Sequence, residues 1–480
     1  MSALEETPFL HEESPENARE DYDAIRKHNE VYERFPPASK RLFVGVTAFT
    51  ALMALFVSGT FIPSIPQIAR DLDTTPDVVS NAVSVSMFTV ALGSMTFSSY
   101  STWYGRRPVY LIGLPLVVLG SFGVARSRSV PELFGWRILQ ALGASPGFSV
   151  GSGVIGDIYR LEERGFAMGV FTGAALIGPA FAPVAGGWAA HYSSWRRMQE
   201  AIGVAGLVTF AFVYFYLEET KHPKTKEIEK ERQRALDEGR SPPRFVFLNP
   251  FGPLKLLARP PMLLSSIAGY TVLIVDFVLM IPIAYTIGER YHLGNNEFFI
   301  GLCFIPVGIG NFIGAPLAGK YSDYMVVKWR TRRNGVWYPE DRLRAATPGL
   351  GYLIPLTLIA FGLTTHFVPG PLGLTLNLIW FFLNGIGVDA TLAPIGSYCV
   401  DIMHEHSAEA VSAVQGFRAL MSALTIPAIF PLLNAIGIVP MYTLFAGISW
   451  IGYGFVIWLI RDGERLRSIG SYKYSDATSA

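Results

Sequence analysis

The chain has 480 residues, of which 50% are hydrophobic and 16% charged, against roughly 25% charged in an ordinary soluble domain. Its 39 Lys and Arg nearly balance 38 Asp and Glu for a net charge of +1, which excludes a general basic field for nucleic acid. With a mean hydropathy of +0.34 and long apolar runs between its charged blocks, the chain is too apolar for a soluble protein of this length.

In chain order, residues 1–41 form a polar N-terminal tail with no apolar core of a signal peptide, so the first membrane span must act as the targeting signal. A spanning helix needs about 20 mostly apolar residues. Such runs fall near 42–66, 78–99, 108–125, 131–157, 166–190 and 199–217, then 262–286, 298–322, 348–367, 372–402, 408–436 and 439–460. These predict an all-α membrane protein with two six-helix bundles, at 42–217 and 262–460. The segment 218–261 alternates charge signs and reads as a cytoplasmic linker with at most one amphipathic helix. Residues 461–480 form a cytoplasmic tail, its last eleven residues expected to be disordered. Placing both termini inside puts 31 of the 39 Lys and Arg on cytoplasmic segments, as the positive-inside rule requires.

Cys303 and Cys399 both sit inside apolar runs, which excludes a disulfide framework. No zinc-like Cys/His spacing and no nucleophile elbow is present, so neither a cofactor nor an enzymatic activity is expected. GAPLAGK (314–320) matches the opening of a P-loop, but Tyr321 stands where Ser or Thr should bind magnesium, and the run ends an apolar span.

The two halves share weak marks. An offset of 221 places Gly93, Ser98 and Thr102 on Gly314, Gly319 and Asp323; an offset of 244 places Gln140, Gly143 and Asp157 on Asn384, Gly387 and Asp401. Two bundles with matching polar positions suggest substrate passage between them. The run YGRRP carries Gly105, Arg106 and Arg107; WRILQALGA carries Arg137 and Gln140; GPAFAPVAGG carries Gly178, Pro179, Pro183, Gly186 and Gly187; RRNGVWYPEDRLR spans 332–344. In this order and on these spans, the motifs make residues 40–462 resemble the major facilitator superfamily, and more closely the twelve-span drug:proton antiporters of fungi. The chain departs from the family loop signature where Ser98 replaces a glycine and Thr102 an acid.

Ionisable groups inside spans are costly and are functional candidates by default. Asp276, near the middle of span 7 with no local partner, is the candidate proton carrier. For Arg137 the resemblance implies a part in proton coupling; an ion pair or a carbonyl clamp is the structural alternative. Asp389 and Arg418 are expected to pair across spans 10 and 11, or to contact substrate. Arg106, Arg107, Asp157, Asp323 and Asp401 are expected to form a cytoplasmic charge lattice with Arg418 in the gating set. The lattice should be weaker in the N-terminal half because Thr102 carries no charge. Gln140, Asn384, Trp380, Phe277, Tyr270 and Asp389 are the candidate cavity lining. The small residues of spans 4 and 5 recur every fourth position and permit close helix approach.

The resemblance implies a proton-coupled exporter of a small organic molecule, such as a drug, secondary metabolite or organic acid. Protons, that substrate and the lipid bilayer are the expected partners, and a monomer is expected. The plasma membrane is the expected site, with the vacuolar membrane as alternative. A proton symporter importing a nutrient and a non-transporting receptor are the competing readings.

Overall fold

The computed structural model describes residues 32–159, 164–222, 226–241, 246–249, 251–293, 296–403 and 407–477. The N-terminal tail as far as residue 31 and the Pro242-Pro243 break of the linker lie outside these. Among the described residues twelve helices are long and apolar enough to cross a membrane, and no strand occurs. Spans 1–6 are Pro37–Asp71, Pro76–Tyr104, Arg106–Arg126, Val130–Ile158, Ala167–Tyr192 and Trp195–Tyr216. Spans 7–12 are Pro260–Gly288, Glu297–Arg332, Pro339–Phe367, Gly370–Ile402, Glu409–Ile436 and Ile438–Ile469. They form two six-helix bundles.

The loops after even-numbered spans lie on the face that carries the chain ends, here the terminal face. The loops after odd-numbered spans lie on the opposite face. Several spans are longer than expected and broken by proline. In span 1 a short 3-10 turn at Ile62–Ser64 precedes the helix Ile65–Asp71. Span 4 breaks at Ser145-Pro146, and span 11 at the 3-10 turn Ile426–Ala428. Proline lacks the N–H that would continue the ladder. Near such irregular turns hydroxyls add to carbonyls that already accept a backbone N–H: Thr60 Oγ1 donates to the Phe56 carbonyl at 2.8 Å and Thr286 Oγ1 to the Pro282 carbonyl at 3.1 Å.

Two stretches differ from the expected loops. Pro339–Ala345 is a 3-10 turn continuous with span 9, with Asp341 and Leu343 fully buried. The last helix continues to Ala477, where a disordered tail was expected. In the linker, Glu227–Asp237 forms one helix that buries Ile228 and Ala235.

Within each half, glycines allow backbones to meet. A Cβ at Gly143 would sit 2.5 Å from the Gly113 carbonyl oxygen and from the Val117 nitrogen, so spans 3 and 4 touch main chain to main chain.

Candidate transport site

The first polar centre lies in the N-terminal half, toward the opposite face. Arg137 is completely buried. Its Nη1 donates to the Val57 carbonyl at 3.0 Å and to Gln140 Oε1 at 2.9 Å, and its guanidinium lies 4.4 Å from the centre of the Phe61 ring. Gln140 Nε2 in turn donates to Ser121 Oγ at 2.8 Å and Gln199 Oε1 at 2.9 Å. A cation is thus held by a carbonyl, an aromatic face and an amide relay across spans 1, 3, 4 and 6, with no carboxylate joining them among the described residues. Nε and Nη2 of Arg137 have no hydrogen-bond partner among the described residues. Ser121 and Gln199 carried no sequence signal of their own, because a lone polar residue in a span marks no particular neighbour.

The second centre lies near mid-depth of the C-terminal half. Asp276 and Asp389 are half-buried. Each has one carboxylate oxygen, Oδ1 of Asp276 and Oδ2 of Asp389, that is sealed without a partner among the described residues. The two carboxyls are within electrostatic reach of each other. Span 8 closes on this point at Gly314, where a Cβ would lie 3.4 Å from the Asp389 Cβ. The structure does not pair Asp389 with Arg418. Arg418 is buried against Gly269 of span 7, where a Cβ would meet its Cδ at 2.8 Å. Its Nη2 bonds Gln415, one turn back on its own helix.

The aromatic and amide candidates separate in depth. Tyr270 is half-buried with its hydroxyl 2.6 Å from Thr425 Oγ1, and Phe277 packs partly buried on the core. Trp380 is half-buried and donates to Thr364 Oγ1 at 3.0 Å. Phe381 is fully buried edge-on to Phe361, with ring centres 5.1 Å apart. Asn384 is equally sealed, donating to Thr357 Oγ1 at 3.0 Å. Phe381 and Asn384 therefore face the packed seam between spans 9 and 10.

On the terminal face the charged residues fall into separate clusters, each within one half. Arg106 Nε meets Asp157 Oδ2 at 2.9 Å, and its Nη1 donates to Ser101 Oγ at 2.7 Å. Arg107 turns away and donates to the Tyr214 carbonyl. Glu219 of the linker accepts the backbone N–H of Arg106 at 3.0 Å. In the other half, Arg342 bridges Asp323 and Asp401. Nearby, Arg467 joins Glu340 at 2.7 Å, and Asp341 binds both Arg333 and Arg344. Arg342, Glu219 and Glu340 were missed in sequence because they sit outside the apolar runs, where charge is expected anyway.

The span 5 motif packs two ways. Gly178 and Gly186 face span 1: a Cβ would sit 2.7 Å from Leu55 Cβ and 2.2 Å from the Thr60 carbonyl oxygen, respectively. Gly187 and Pro183 face span 8 of the other half, where Gly187 would bring a Cβ to 2.2 Å from the Glu297 carbonyl oxygen. Pro179 and Pro183 both lie inside the helix. Between the halves, Ser84 of span 2 also donates to the Ala423 carbonyl of span 11.

Two six-helix bundles meeting across a seam, with ionisable side chains inside the spans, define a polytopic membrane transporter. The family model of the Major Facilitator Superfamily matches residues 47–425, and the chain belongs to this family. It is 28% identical over 451 residues to "Efflux pump radE" of Floropilus chiversii, covering 91% of this chain and 82% of that one. It is also 28% identical to "MFS-type transporter penM" of Penicillium rubens, covering 86% and 82%. A bacterial homolog of the human lysosomal transporter Spinster, solved inward-facing and unoccupied, shares the fold with a TM-score of 0.66 at 14% identity, over 90% of this chain and 99% of that one. Membership makes the chain a transporter and not an enzyme.

Proposed function

We propose that this transporter exports a small organic molecule from a fungal cytoplasm in exchange for protons. The observation that carries the reading is the Asp276–Asp389 pair: two membrane-embedded carboxyls, half-buried, each with a sealed oxygen that has no partner among the described residues. A carboxyl without an internal counter-ion can hold a proton when the site faces one side and lose it on the other. Substrate and proton then compete for the same polar centre, which couples their opposite movements. Asp276 is the carrier in this scheme and Asp389 its neighbour. Arg137, held by carbonyl and ring in the other half, supplies fixed positive charge to the wall it supports.

The direction is supported by the likeness to the efflux pump of Floropilus chiversii and by the tight span 5 seam toward the opposite face. In this reading the terminal face is cytoplasmic, because it gathers 31 of the 39 Lys and Arg. The chain works as a monomer in the plasma membrane. The half-buried Tyr270, Phe277 and Trp380 suit a partly apolar cargo.

The test is purified protein in liposomes under an imposed pH gradient, with a panel of anionic, neutral and cationic compounds. Substrate-triggered proton counterflow that disappears in Asp276→Asn is expected. Transport that proceeds without proton movement overturns the antiport, and counterflow that survives Asp276→Asn moves the proton site elsewhere.

A further inference from the structure

Glu297 opens span 8 on the opposite face and is only 4% exposed. Both of its oxygens are engaged from the other half of the molecule. Arg70, at the end of span 1, places Nη2 2.6 Å from Oε1. His191, at the end of span 5, places Nδ1 3.5 Å from Oε2. The backbone beside this carboxylate is equally close. Besides the Gly187 contact with the Glu297 carbonyl, a Cβ at Gly301 would lie 2.6 Å from the Pro183 carbonyl oxygen, and one at Gly308 would lie 2.2 Å from Ala180 Cβ. Spans 5 and 8 are therefore in main-chain contact for about three turns below the ion pairs. Next to them Tyr192 packs on Phe298, with ring centres 5.9 Å apart.

The named ion pairs of the terminal face behave differently. Arg106–Asp157, Arg342–Asp323 and Arg342–Asp401 each join residues of one half. They brace a half and can stay intact while the halves rock. The pairs of Glu297 cannot, because opening the opposite face must pull span 8 away from spans 1 and 5.

We infer that Glu297, clamped by Arg70 and His191, is the latch that holds the opposite face of the transporter shut. The inference rests on the alternating access proposed above and adds a gate to it. Arg70 is the accessible partner, with 58% of its side chain exposed, whereas the carboxylate is sealed. A sealed carboxylate stripped of its partners is strongly disfavoured until water reaches it. The latch therefore releases in one step, when the seam below has parted enough to admit solvent. Until then it biases the molecule toward the state open on the terminal face. Glu297 is a positioning residue here and touches no cargo.

The test uses the full chain in lipid nanodiscs, with Cys303 and Cys399 replaced by Ala and spin labels on Arg128→Cys and Phe367→Cys. These two exposed positions lie on the opposite face, one in each half. Double electron–electron resonance then reports the opening of that face without substrate or a proton gradient. Glu297→Gln is expected to raise the long-distance population roughly fivefold or more, in the range of ordinary coupling between sites. Arg70→Gln should do so as well, and Glu297→Asp should restore most of the closed population. Arg70→Gln keeps the test decisive should Glu297→Gln fold poorly, since Arg70 is largely in solvent. Unchanged distance distributions in Arg70→Gln and Glu297→Gln would overturn the latch. Since the readout needs no transport, the latch can fail while the exporter reading stands, and the reverse.

Discussion

Glu219 lies directly over Gly105, so close that a Cβ on the glycine would sit 2.0 Å from its Oε2. The other oxygen accepts the N–H groups of Arg106 and Lys221, each at 3.0 Å. Gly105 itself has φ +111°, which side-chain-bearing residues rarely adopt. One glycine thus lets span 2 turn sharply into span 3 and lets the linker dock its carboxylate on the exposed end of that helix. Gly105→Ala should lower stability by more than the roughly 1–3 kcal/mol of the backbone strain alone, because Glu219 must also withdraw. The expected readout is a fall of several degrees in the melting temperature of detergent-solubilised protein. A melting temperature equal to that of the parent would show that the linker docks loosely.

Arg342 serves two carboxylates at once, Asp323 and Asp401. A guanidinium presents several donors in a fixed fork, whereas a Lys ammonium is a point charge. Arg342→Lys should therefore keep folding but slow transport, by about threefold to tenfold, and Arg342→Gln should slow it further. Initial uptake rates in liposomes at matched protein density check this. Equal rates for Arg342→Gln and the parent would remove the cluster from the transport cycle.

The twelve spans, their halves and the order of the motifs were legible because twenty apolar residues in a row carry a strong signal. Of the loop signature, Arg106 does meet Asp157. Side-chain direction was not legible. Asn384 and Gln140 look alike as lone amides in apolar runs, yet both turn inward to protein donors and acceptors and not to open space. Asp389 and Arg418 invite pairing by their complementary charge, but Arg418 lies along Gly269 and bonds its own helix. The Glu297 clamp was invisible because Arg70, His191 and Glu297 are far apart in sequence, each at a span end where a charge needs no explanation.

Lys221 lies in the linker, just beyond span 6, and is 8% exposed. Burial, reinforced by the positive charge of Arg106, pushes its ammonium down to about 8. The unfolded chain keeps this lysine near 10.4, so between about pH 8 and 10.4 the unfolded state binds more protons. The cost of burying the charged ammonium is therefore fully present below about pH 8, and stability rises as pH climbs from there toward 10.4. Lys221→Met removes the titration. The melting temperature of the parent relative to Lys221→Met should climb from pH 7.5 to pH 10. A difference that stays flat over that range would show that Lys221 is solvated as freely as in the unfolded chain.

Asp276 and Asp389 should act as one unit. If the two carboxyls share the proton load, removing either charge disturbs the same event, and the effects of two substitutions at electrostatically coupled groups do not add. Asp276→Asn is expected to abolish substrate-driven proton counterflow. Asp389→Asn should leave measurable counterflow at a rate lowered by roughly tenfold, because the carrier remains while its neighbour no longer disfavours a second negative charge. The double substitution should then match Asp276→Asn alone. Counterflow measured with a pH-sensitive dye in liposomes separates the cases. A double variant that retains exchange of substrate for substrate, without protons, would place both residues in coupling and neither in cargo binding. A double variant that loses that exchange too, while Asp276→Asn keeps it, would assign Asp389 to the cargo. Competition of substrate and proton for one polar centre favours the second outcome, since each carboxyl turns one oxygen into the packed interior and leaves the other for whatever enters the site.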